Sequence, residues 1–108
     1  MNRIGQPFRL GIWMVKSENI PEFIEAWQLS VDWITQKVSD DGEGFLLQDT
    51  QDPNKFVLFA FSSNPDKSQE VRSQAEYQEL FSRVQALCDS VQPHKMNVVG
   101  YSSSSKDE

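Results

Sequence analysis

Residues 8–16 alternate across two faces of an extended segment, with Phe8, Leu10, Ile12 and Met14 on one and Arg9, Gly11, Trp13 and Val15 on the other. A two-residue period predicts a strand. The period then changes, because Ile20, Phe23, Ile24, Trp27, Val31, Ile34 and Val38 recur at steps of three and four, with Pro21 and Glu22 in the first turn. That spacing predicts one amphipathic helix. Leu29 and Trp33 lie off its stripe and need another surface to cover them. Asp40-Asp41-Gly42 closes the helix, residues 43–50 form a second strand, and Gln51-Asp52-Pro53-Asn54 turns the chain into a third.

The third strand, residues 55–62, holds Phe56-Val57-Leu58-Phe59-Ala60-Phe61 without a polar break, the pattern of a strand buried on both faces. Ser63-Asn64-Pro65-Asp66 caps a short polar turn that leads to a longer helix. Tyr77, Leu80, Phe81, Val84, Leu87, Cys88 and Val91 form the stripe of that helix, Pro93 ends it, and residues 96–101 make an edge strand. The order is βαββαβ, an α+β ferredoxin-like unit with two helices on one face of a four-stranded antiparallel sheet. Trp13, Leu46, Val57, Phe59, Phe61 and Val99 would then project from the uncovered face. A patch of that size predicts a homodimer, with Trp13, Val57, Phe59 and Phe61 at its interface.

A chain of 108 residues has room for one domain, placed at 8–101 between a flexible N-terminus at 1–7 and a polar, disordered tail at 102–108. Sixteen acidic residues against 10 basic ones give a net charge of −6, so the long-range field repels a phosphate backbone and argues against nucleic acid as a partner. No stretch approaches the roughly 20 apolar residues that span a bilayer, so no membrane partner is expected. With one cysteine the chain can form no internal disulfide, and a cytoplasmic location is the default expectation.

Candidate chemistry is sparse. There is no Gly-rich phosphate loop, CxxC or HExxH, and His94 and Cys88 each stand alone, so no metal site is expected. His94 reads as a solvated loop residue, and Cys88, on the apolar stripe, as a small core hydrophobe. The pairs Glu22 and Glu25, Asp40 and Asp41, and Glu76 and Glu79 belong to solvated helix faces or turns. Trp27, Tyr77 and Phe81 point from the helices toward the sheet and could line a flat apolar cavity, against the competing reading of ordinary core packing.

Across residues 8–101 the pattern resembles the antibiotic biosynthesis monooxygenase family of small dimeric α/β barrel proteins. The resemblance rests on the first strand, the helix entry Ile20-Pro21-Glu22-Phe23-Ile24, the Gln51-Asp52-Pro53-Asn54-Lys55-Phe56 hairpin with the strand after it, and Glu76-Tyr77-Gln78-Glu79-Leu80-Phe81. It implies a cofactor-independent monooxygenase, or a binder of a small hydrophobic, aromatic or quinol-like molecule, with Leu10, Trp27, Tyr77 and Phe81 against the ligand. A non-catalytic dimeric ligand-binding or interaction module is the alternative. The family commonly has Glu and Trp on the third strand, where this chain has Phe59 and Phe61. Haem-degrading relatives use Asn, Trp and an axial His where it has Leu10, Val71 and Phe81, so haem degradation is disfavoured and no cofactor is expected. A cofactor-free oxygenase must deprotonate its substrate. No base is identified, and Tyr77 and Arg9 are the nearest polar candidates.

Overall fold

Four strands and three helices follow one another among the described residues of the computed structural model, which are 4–38, 42–62 and 64–102. They are β1 (Pro7–Val15), a 3-10 turn (Ser17–Asn19), α1 (Ile20–Lys37), β2 (Glu43–Gln48), β3 (Lys55–Phe61), α2 (Pro65–Arg72), α3 (Ala75–Ala86) and β4 (Cys88–Asn97). The sheet is antiparallel throughout, in the order β2-β3-β1-β4. This is the ferredoxin-like arrangement expected from the element order. Asp40, Asp41 and Ser63, with residues 1–3 and 103–108 of the two terminal segments, lie outside the described residues.

Register decides which side chains share a face, because paired residues on neighbouring strands point the same way and a one-residue offset reverses them. Trp13 pairs with Phe56 on one side and Val91 on the other, while Val57 pairs with Ile12 and Leu47. Trp13 and Leu46, expected on the uncovered face, therefore lie on the helix face. Trp13 is 2% exposed, with its ring 5.6 Å from those of both Phe23 on α1 and Phe81 on α3. Together with Val15, Trp27, Phe56 and Val84 these rings form the core. Val57, Phe59 and Phe61 do share the open face, where Phe8 lies under Phe59 and Phe61 at 4.8 and 5.0 Å.

The last strand begins eight residues before the expected position. Cys88 and Val91 look helical because they are three apart, yet they are strand residues that both pack on the core. The pairing jumps from Val15↔Cys88 to Met14↔Ser90, so Asp89 is an extra residue in β4. A bulge of this kind puts two positions of helical spacing on one strand face. Pro93 sits within β4 because β4 is an edge strand, where a missing N–H breaks no second ladder. Val99 lies beyond the strand and is 89% exposed.

The expected polar turn after Asn64 is the helix α2, capped by the Asn64 side chain, which accepts the Lys67 N–H. Two fixings hold β1 in place. Its end is clamped by Asn54, whose side-chain amide donates to Val15 O and to Ser17 Oγ, each at 2.8 Å. Before its start, Gly5 N donates to Val98 O, and Val98 N donates to Gln6 O. No helix among the described residues is long and apolar enough to cross a membrane.

Candidate functional site

Between the sheet and its helices lies a cavity of about 540 Å³. Gly11, Trp13, Leu58 and Ala60 line it from the sheet, Trp27, Val31 and Ile34 from α1, and Tyr77 and Phe81 from α3. Ser68 and Arg72 of α2 join Arg9 and Lys95 of the sheet in the same wall. Hollows of roughly 300–1,000 Å³ with mainly apolar walls and a few polar groups are what small-molecule sites look like.

Trp27, Tyr77 and Phe81, singled out from helical spacing, all meet at this cavity. Tyr77 and Phe81 are one helical turn apart and their rings stack at 5.7 Å, while Trp33 lies 6.2 Å from Tyr77 and extends the aromatic row. This accounts for Trp33, which α1 turns toward α3 and which also carries Lys37 Nζ 5.4 Å from its ring centre. Leu29 gains no such cover and remains 50% exposed. Leu10 borders the cavity, but it pairs with Phe59, so its side chain belongs to the open face and only its main chain can reach the hollow.

Three polar groups in the wall were not all legible in advance. Arg9 and Tyr77 are joined by Arg72, which helical spacing on a polar segment could not single out. Burial pushes the Arg72 guanidinium down to about 10, and the positive charge of Arg9 pushes in the same direction against a smaller opposing effect of Tyr77. Arg9 is also lowered, chiefly by burial. Burial raises Tyr77, so its phenol stays protonated near neutral pH. The indole Nε1 of Trp13 is buried without a hydrogen-bond partner among the described residues. A Cβ built on Gly11 would stand 3.1 Å from that nitrogen, so the glycine lets the indole lie close against the strand.

The remaining candidates sit elsewhere or at the surface. Asp32, Glu43 and His94 line the cavity but are exposed, and Asp32 Oδ1 accepts a hydrogen bond from Gln28 at 2.9 Å. Burial raises Cys88 to about 11, and its thiol donates to Val84 O at 3.4 Å, which keeps it protonated. No group of three His, Cys, Asp or Glu side chains among the described residues could hold a metal ion.

No protein-family model matches the sequence, and no curated protein matches it. Solved structures do. SnoaB, a cofactor-independent oxygenase from Streptomyces nogalater, superposes with a TM-score of 0.78 at 12% identity, covering 90% of this chain and 96% of its own. The chain has the fold of the antibiotic biosynthesis monooxygenases. One such monooxygenase gives a TM-score of 0.72 at 16% identity over 87% of this chain and 99% of its own. A conserved protein from Methanosarcina mazei Go1 gives 0.72 at 12% over 85% and 92%. At these identities the likeness is one of fold. Phe59 and Phe61 both pack on Phe8, and Phe61 also borders the cavity.

Proposed function

We propose that this chain binds a small planar aromatic or quinol-like molecule in the helix–sheet cavity and oxygenates it without a cofactor. The reading is carried by the cavity itself, about 540 Å³ with Trp27, Tyr77 and Phe81 in its walls. Flat rings would stack against those side chains. In the reaction, a ring CH₂ of the substrate loses a proton, and the anion passes an electron to oxygen. The carbon ends as C=O, and the second oxygen atom leaves as water with the two hydrogens. The substrate supplies every electron, so the protein's work is binding, desolvation and stabilisation of the anion. The fold shared with SnoaB supports this reading, and a homodimer joined through the open sheet face, in the cytoplasm, completes it.

One observation favours a second reading, a ligand-binding module without catalysis. Among the described residues the carboxylates and the imidazole at the cavity are exposed, and none is buried against the aromatic walls. Oxygen uptake over a panel of anthrones and quinols, measured beside tryptophan-fluorescence titrations of the same compounds, separates the two. Uptake above the protein-free rate is the outcome expected of an oxygenase. Binding without uptake selects the module, and an absence of both across the panel rejects the site as the place of function.

A further inference from the structure

Arg9 and Arg72 stand where two hollows meet, the cavity of about 540 Å³ and a neighbouring one of about 410 Å³, and both line each of them. Lys95, the cross-strand partner of Arg9, lines both as well. Among the described residues the ion pairs are Lys16 with Asp89 and Lys67 with Glu70, and neither arginine takes part in one. Among the described residues the side chain of Arg72 makes a single hydrogen bond, a 3.4 Å contact to Gln69 Oε1. Two half-buried like charges repel each other and lose hydration, and among the described residues no carboxylate pairs with either. The chain carries a net charge of −6, so this cationic cluster runs against the sign of the whole molecule. Among the described residues the carboxylates that line the hollows do so from exposed positions, Asp32 and Glu43 in the larger and Asp66 in the smaller.

We propose that the ligand of this cavity is a planar aromatic acid, its carboxylate held by Arg9 and Arg72. This rests on the reading of the cavity as an aromatic site and names the class of molecule. A carboxylate fits better than an ionised quinol, because a quinol arrives neutral at pH 7 and no buried base waits to ionise it, whereas an acid arrives already charged. Guanidinium forks match the planar carboxylate.

The test compares an acid with its uncharged isostere. Fluorescence titration of the whole protein with anthraquinone-2-carboxylate and with the corresponding amide should show the acid binding at least about tenfold tighter, the scale of a charge-assisted hydrogen bond. The preference should weaken as salt is raised. Arg72→Gln should remove most of it and Arg72→Lys should keep part, each variant being checked for folding by circular dichroism. If the variants do not fold, the acid–amide ratio and its salt dependence on the unaltered protein decide alone. Equal binding of acid and amide overturns the carboxylate and leaves the aromatic site standing. Tighter binding of the aryl phosphate than of the acid also overturns it. Binding of none of the three overturns both.

Discussion

Trp13 and Gly11 show what a single position contributes here. An indole N–H left unpaired in the interior costs roughly 1–3 kcal/mol, which the packing of the ring has to offset. Gly11→Ala would place a methyl 3.1 Å from Trp13 Nε1 and 3.6 Å from Leu58 Cβ. The indole has little room to yield, with Phe23 and Phe81 packed on it at 5.6 Å. Urea unfolding should show a loss of about 1–3 kcal/mol, the usual cost of overpacking. Undiminished stability in the Gly11→Ala variant would mean the indole moves freely. Trp27, Tyr77 and Phe81 were legible in the sequence because helical spacing points them at the sheet whatever the pairing. Trp13 was not, since its face depends on whether it meets Phe56 or Val57, and only the register tells.

At the scale of elements, the turn between β2 and β3 was legible from Asp52-Pro53-Asn54, and the structure shows why it is so well determined. Asp49 Oδ1 accepts the N–H groups of Gln51 and Asp52, Asp52 Oδ1 accepts that of Asn54, and Lys55 N donates to Asp52 O. Asn54 then reaches across to β1, donating to Val15 O and Ser17 Oγ while its own carbonyl accepts the Val15 N–H. Asn54→Ala keeps the last bond and loses the first two. At about 0.5–1.5 kcal/mol for each hydrogen bond, stability should fall by about 1–3 kcal/mol. For a domain of this size that lowers Tm by about 4–8 °C per kcal/mol, readable by calorimetry. An unchanged Tm would mean that solvent replaces the amide without cost. The start of β4 was illegible for a different reason. Cys88 and Val91 continue the three- and four-residue spacing of α3, and the bulge at Asp89 lets a strand satisfy that same spacing. Periodicity alone reads the two solutions identically.

For the whole molecule, the helices cover one face of the sheet and leave the other bare. Phe45, Leu47, Phe59 and Met96 are 48%, 54%, 41% and 46% exposed there, beside Phe8, Leu10, Val57 and Phe61. Exchanging Trp13 and Leu46 for Phe45, Leu47 and Met96 shifts the patch toward the outer strands without shrinking it. Water-exposed apolar surface of this extent favours association, and two identical sheets can cover each other about a two-fold axis. Phe59 lies on β3, one of the two inner strands, and its side chain points away from the cavity. Phe59→Asp would set a carboxylate among these rings, where burial against a second sheet leaves it without a partner. Light scattering should therefore report a monomer for this variant and a dimer for the unaltered chain. Fluorescence titration should show the monomer still binding aromatic ligands, since Trp13, Trp27, Tyr77 and Phe81 all come from one chain and line the opposite side of the sheet. A stable dimer of the Phe59→Asp variant would move the interface to another surface, with Leu29 and Ile24 the large apolar residues that the helices expose. Loss of ligand binding on dissociation, with the circular dichroism spectrum unchanged, would instead mean that the two faces of the sheet are coupled and that the cavity takes its final shape only in the pair.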